Sequence, residues 1–260
     1  MATSKTVTKV KAADPAAEQA KKFVPSPENK KKAITFRIIA ALLWLAGIAA
    51  EVVAILQLRN AEPVMWLLLV LIAADFLLVV GGSMLWKKAN RLDPASEKNK
   101  FGFFVQNQLG VLICAIAFLP LIVLIFTNKN LKGKQKGILG AVAIVAVLGA
   151  GFLSYDYNPP SVEQYTEEAN RVIQLTGKDE VYWTQSGTKY HLYDDCYTIN
   201  TDKTAEIFTG TIADCHADKN ITELCKICEG NALKDPALPG SQLADTQEDV
   251  AEEETVDEAA

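Results

Sequence analysis

Four apolar runs, each long enough to cross a bilayer, and a tight His/Cys spacing in the polar segment after them predict the fold class. It is an all-α membrane bundle of four transmembrane helices plus a small α+β module. The sequence has 260 residues, with five cysteines and only two histidines, so a clustered arrangement of the two types is informative. Its charge is divided. Residues 1–33 hold eight lysines (Lys5, Lys9, Lys11, Lys21, Lys22, Lys30, Lys31 and Lys32), whereas 245–260 hold eight acids and no base. Both ends are too poor in large apolar side chains to offset their ordering entropy, which predicts a disordered basic tail over 1–33 and a disordered acidic tail over 236–260. The net charge of −5 therefore reports opposed tails and not a preference for a partner. A lysine-rich arm beside a membrane span belongs against anionic lipid, and nucleic acid is not expected.

The first apolar run starts near residue 34, after a long polar stretch, and no small-x-small cleavage site closes it; it reads as a retained anchor and not as a secretory signal. A span of about 30 Å needs roughly 20 helical residues. The stretches 34–58, 64–86, 108–126 and 138–155 meet or approach that length. In the second, Trp66 and Trp86 stand twenty residues apart, a spacing that suits the two membrane interfaces. Pro120 should kink the third. The fourth is rich in Gly and Ala, and Ala146 with Ala150 fits a small-xxx-small stripe for close helix packing, in the bundle or in a homo-oligomer.

Lysines set the orientation. The first tail and the loop 87–100 (KKANRLDPASEKNK) are basic, which puts both on the cytoplasmic side of a multi-pass cell-membrane protein, with the carboxyl-terminal module there too. The loop 128–137 opposes this, since its four lysines fall outside. Were the Pro120 segment re-entrant, that loop would be inside and the module outside. Two acids, Glu51 and Asp75, lie within the apolar runs, where a charged carboxylate costs about 2.5–3.5 kcal/mol on insertion scales. They imply either a path for a proton or cation or a structural hydrogen bond, to a neighbouring helix or to the Gln106-Asn107-Gln108 cluster. The structural reading carries more weight, because the third and fourth runs bring no matching polar array.

Past the last span, Pro159 and Pro160 stop the helix. Ser161 with Gln164 forms the signature of a capping box, which predicts a linker helix over 156–178 ended by Gly177. Val162, Tyr165, Ala169, Val172 and Ile173 make its apolar face. The module occupies 179–235. VYWTQSGTKYHLY (181–193) reads as two strands around Ser186-Gly187, and 210–220 and 221–230 as short helical pieces. So few residues make a small core, and small domains commonly need a staple.

The staple is legible. Cys225-x-x-Cys228 lets two thiolates reach one ion from a single turn, and His191 with Cys196 supplies two more ligands from the end of the hairpin, across a loop-sized gap. Three Cys and one His fill the four positions of a structural zinc site and leave none open for a reacting water. Zinc is the expected cofactor; no catalytic residue, organic cofactor or enzymatic activity is expected. A redox role for Cys225 and Cys228 wants a βαβ unit that is not visible, and a Cys nucleophile with His191 as base wants an oxyanion motif that is not visible either. Cys215-His216 is a second pair that offers a replacement ligand, although a short helix suits both as bystanders. Cys114 sits inside the third span as a packing residue.

Residues 181–230, through GTKYHLYDDC and LCKIC, resemble the small Tyr-His-x4-Cys … Cys-x-x-Cys zinc modules appended to various bacterial proteins. The resemblance implies an Ada-like zinc-binding tail with His191, Cys196, Cys225 and Cys228 as its ligands. The whole layout also resembles a family of uncharacterised bacterial four-span membrane proteins, which lends no activity. Two functions follow as expectations. One is a non-enzymatic scaffold whose 156–235 segment binds a protein partner. The alternative is a transporter or metal-homeostasis protein using Glu51 and Asp75, with the zinc module as sensor.

Overall fold

A computed structural model describes residues 7–9 and 22–241. The disorder expected of 1–6, 10–21 and 242–260 lies outside the described residues. The chain forms two compact units, one from Pro27–Pro160 and one from Ser161 onward together with the residues before 27.

The first unit consists of four helices: α1 (Pro27–Leu58), α2 (Met65–Leu92), α3 (Lys100–Thr127) and α4 (Gly133–Ser154). All four are long and apolar enough to cross a membrane. The expected boundaries were too short. α1 starts seven residues before 34, inside the stretch taken as tail, α2 runs on to Leu92, inside the 87–100 stretch taken as loop, and α3 starts at Lys100, well before 108. Hydropathy marks where lipid begins, while helical hydrogen bonding continues past it. Asn90 Nδ2 donates to the Gln106 carbonyl at 2.9 Å and to Asn107 Oδ1 at 3.2 Å, and Gln106 Nε2 donates to the Asp93 carbonyl at 3.3 Å. Those bonds stitch the polar ends of α2 and α3. Pro120 lies inside one uninterrupted helix, so the chain does not turn back there.

The helices alternate in direction. At one pole Arg37 pairs with Asp93 at 2.6 Å, Lys87 Nζ donates to the Leu153 carbonyl at 2.8 Å, and Gln108 Nε2 donates to the Asp156 carbonyl at 3.0 Å. At the other, Asn128 Nδ2 donates to the Leu58 carbonyl and Asn130 Nδ2 to the Asn60 carbonyl. The core between them holds Leu68, Ile72, Phe118, Leu121, Ile125 and Leu139. Large apolar side chains such as Leu45, Leu77, Val145 and Leu148 stay exposed on the outside, as helices solvated by lipid require. Trp66 is among these, but Trp86 is not a free interfacial ring. It donates to the Gln106 carbonyl at 2.7 Å and packs on Trp44. Some of the small residues of α4 pack inside the bundle: Ala143 and Ala150 are fully buried, and Gly140 faces the ring of Phe126.

α1 and α2 approach closely at Gly82, where a Cβ would stand 2.6 Å from Trp44 Nε1 and 3.0 Å from the Ala40 carbonyl. The carbonyl is backbone and cannot yield. Gly82→Leu is therefore expected to part the two helices, break the 3.2 Å bond from Trp44 Nε1 to the Val79 carbonyl, and cost about 1–3 kcal/mol or more. A lowered Tm of the detergent-solubilised protein checks this.

The second unit contains α5 (Val162–Thr176), α6 (Ile212–Lys219), α7 (Lys226–Lys234) and five short strands: β1 (Val7–Lys9), β2 (Val181–Thr184), β3 (Lys189–Tyr190), β4 (Ile207–Gly210) and β5 (Glu223–Leu224). β1 and β2 flank β4 in one sheet, parallel and antiparallel respectively, while β3 and β5 pair in parallel. The expected hairpin survives only as a single bridge between Tyr182 and His191, whose backbone bonds are 2.8 and 2.7 Å. Its strands diverge into different sheets. α5 is not a linker but part of the module, because its Val172 and Leu175 share one core with Val181, Trp183, Ile207 and Ile212. Only half of its capping box forms: Ser161 accepts from the Gln164 amide at 2.9 Å, but the Gln164 side chain turns to Glu168. Gly177, at φ 82°, ends the helix as expected. Phe23 donates its amide to Thr166 Oγ1 and sets its ring edge-on to Tyr165, and Leu238 packs on the core, so ordered structure extends beyond both expected module limits.

Candidate metal centre

Strand register brings the ligands together. β3 and β5 align Tyr190 with Leu224, so the next residue on each is a candidate ligand, His191 and Cys225. The Cys225 amide donates to the Tyr190 carbonyl at 2.9 Å and fixes that neighbourhood. Cys225 is also the N-cap of α7, which places Cys228 in its first turn. Cys196 starts a tight turn in which the amides of Ile199 and Asn200 both donate to its carbonyl. The gap before Cys225 is more than loop-sized, since it contains β4 and α6.

His191, Cys196, Cys225 and Cys228 are all buried, and one ligand atom from each lies within 4.8 Å of the others. His191 Nδ1 stands 3.6 Å from Cys228 Sγ. A tetrahedron with metal–sulfur bonds of about 2.3 Å has edges of about 3.8 Å, so the four atoms fit one ion with small adjustment. All five cysteines are free of disulfides.

The electrostatics suit a cation. Burial, with repulsion from Lys189, holds the His191 imidazole down to about 4, leaving a neutral ring with a lone pair to donate. Burial pushes the Cys228 thiol up to about 12, reinforced by Cys196 and Cys225 beside it. Burial also opposes ionisation of Cys225, yet the amides of Cys228 and Ile227 and the Thr198 hydroxyl outweigh it and bring this thiol below its usual value. Three crowded thiols cannot all ionise unaided, and a divalent ion would supply the missing positive charge. The depressed imidazole also fixes a sign. The unfolded chain binds a proton on His191 near its ordinary 6.5 that the folded chain refuses until about 4, so module stability is full above that window and falls as pH drops through it. Chemical denaturation at a series of pH values measures the slope.

Two features lay beyond sequence reasoning. Thr198 places its hydroxyl 3.2 Å from Cys196 Sγ, 3.5 Å from His191 Nδ1 and 4.0 Å from Cys225 Sγ, capping three of the four ligands. A threonine two residues past a cysteine carries no signal of this. The second is a cleft of about 820 Å³ that opens beside His191 and Cys225 and is lined by Gln185, Lys189, Lys203, Glu206 and Lys226, among others. Cys215 and His216 are not part of the cluster. Cys215 is a fully buried core residue, and His216 stacks on Tyr165 and bonds Glu168 through Nε2.

Of the hydrogen bonds expected for the intramembrane acids, the one to a neighbouring helix forms at Glu51, which accepts from the Leu121 amide of α3, and those to the Gln106-Asn107-Gln108 cluster do not form. Gln106, Asn107 and Gln108 bond elsewhere, and Glu51 Oε1 and both Asp75 oxygens have no hydrogen-bond partner among the described residues. Compared with protein-family models, curated proteins and solved structures, the chain matches none of them.

Proposed function

We propose that the chain is a non-enzymatic, membrane-anchored binding protein. A structural zinc ion orders its module, and the module presents a cleft to an acidic segment of a partner protein. The observation that carries the reading is the cleft's charge. Lys189, Lys203 and Lys226 line it against the single acid Glu206. Lys203 and Lys226 make no ion pair among the described residues, and the Lys189–Glu223 pair is exposed on both sides and weakly held.

The donor set supports zinc. Three thiolates and an imidazole at tetrahedral spacing favour a borderline-soft ion over magnesium or calcium, and a closed site favours structure over hydrolysis. The resemblance to Ada-like zinc tails supports the same ligands. Reduced cysteines suit the cytoplasm. So does the basic pole of the bundle, where Arg37, Lys87, Lys88, Arg91, Lys98 and Lys100 gather, against Arg59, Lys129, Lys132, Lys134 and Lys136 at the other.

A fluorescent polyglutamate peptide is the probe, titrated against the full chain in lipid nanodiscs. Binding that weakens with salt and falls at least tenfold in Lys203→Glu/Lys226→Glu supports the cleft, since each lost charge contact costs about 0.5–1 kcal/mol or more at such a surface. Equal binding by the variant overturns it.

A further inference from the structure

The bundle contains a second site that the zinc module does not explain. The inward stripe of α1 runs Ala40, Trp44, Gly47, Glu51, Ala54 and Leu58, and that of α2 includes Leu68, Ile72, Asp75 and Val79. Asp75 Oδ1 stands 2.8 Å from where a Cβ on Gly47 would be, and Glu51 lies one helical turn further along the same stripe. Only glycine leaves room for that carboxyl. Glu51 is 5% exposed and Asp75 1%.

Nothing nearby neutralises them. α3 approaches the two acids through Leu121 and Cys114, and the bundle core around them is apolar, with Ala117, Phe118, Ala143 and Val147. Cys114 is the one titratable side chain these faces add, and its thiol is directed to the Val147 carbonyl at 3.6 Å. The backbone N–H of Leu121, just after Pro120, donates to Glu51. Basic side chains of this unit lie toward the poles, where Arg37 is paired with Asp93. Three carboxyl oxygens remain without partners, and an unpaired ionised carboxylate in an apolar interior costs several kcal/mol.

A positive ligand must replace the missing base. A metal cation of the hard class wants six or more oxygens, and apolar side chains fill the rest of the lining. We infer that Glu51 and Asp75 form a proton-binding carboxyl pair at the α1–α2 seam, the two acids holding protons between them and exchanging them as a unit. This site is independent of the zinc reading.

Dicyclohexylcarbodiimide tests it, because the reagent partitions into lipid and reacts only with a protonated carboxyl. The acid's oxygen bonds to the central carbon, and its proton moves to a nitrogen. Full-length protein in lipid vesicles is treated across a pH series and the adducts are mapped by mass spectrometry. Labelling of Glu51 or Asp75 at neutral pH, declining as pH rises, is expected; no adduct on either overturns the proposal. In Asp75→Asn, labelling of Glu51 on the alkaline side should fall roughly tenfold, because coupled sites share their protons. Glu51→Gln gives the reciprocal test at Asp75 should the first variant elute as aggregate, and the wild-type profile decides if both do. Labelling of one acid unaffected by replacing the other overturns the pair. Block of labelling by sodium or potassium at fixed pH assigns the site to a metal cation and overturns the proton.

Discussion

Removing the metal from the full chain with a strong chelator is expected to unfold the second unit and leave the four helices intact. The reason lies in where the ligands sit. Cys196, Cys225 and Cys228 belong to the same apolar core as Trp183 and Ile207, and the strands around them have two to four residues each. Such strands hold few ladder bonds, so a bound ion would close the structure that the backbone cannot. Structural zinc contributes on the order of 10–16 kcal/mol in small peptides, more than a module of this size gains from its core. Cys225→Ala should behave like the chelator. It removes a ligand and the acceptor for the amides of Ile227 and Cys228 at once. Thr198→Val should be milder, keeping the fold while lowering metal affinity about 10–100-fold, as outer-shell losses do. Far-UV circular dichroism with metal analysis separates the cases: one zinc per wild-type chain, none in Cys225→Ala, and faster loss to chelator in Thr198→Val. Native-like near-UV spectra in metal-free protein would overturn the structural role.

The ligand set was legible because its chemistry is local. Cys-x-x-Cys fits a helical first turn whatever surrounds it, and His191 and Cys196 are five residues apart. The four helices were legible because a bilayer imposes a length. What sequence did not disclose depends on distant partners. β4 is four residues of ordinary polarity and becomes a strand only because β2 lies beside it. The alternation over 181–193 announced two strands but not that they join different sheets, since Tyr190 finds Leu224 and not a residue across the turn. α6, by contrast, carries its own start signal: Thr211 accepts from the Asp214 amide at 3.2 Å, and Asp214 accepts from the Thr211 amide at 3.1 Å. The polar ends of α2 and α3 were hidden for the opposite reason. Their side chains read as loop, although Asn99 caps α3 by accepting from the Gly102 amide at 3.0 Å, and the Asn90–Gln106 and Asn90–Asn107 bonds tie the two ends together.

Trp183→Ala should be the most damaging single change in the module outside the metal ligands. Trp183 is fully buried on β2, which pairs with β4, and its side chain ties that ladder to α6. Its ring stacks near Phe208 of β4 at 6.2 Å, reaches within 3.2 Å of a Cβ position at Gly210, and its Nε1 donates to Asp218 of α6 at 2.8 Å. Truncation leaves a cavity where β2, β4 and α6 meet, at a cost of about 3–5 kcal/mol. Trp183→Phe refills most of that volume and forfeits the bond to Asp218. Asp218 is exposed and regains water, so this variant should recover most of the loss, to within about 1–2 kcal/mol of wild type. The metal makes the measurement sharp. If ion binding is linked to folding of the same module, a destabilised core will give the ion up at lower chelator concentration with its four candidate ligands unchanged. The expected order of chelator resistance is wild type, then Trp183→Phe, then Trp183→Ala. Equal resistance in all three would mean that the ion's shell holds itself together without the core, and the coupling between fold and metal would be lost.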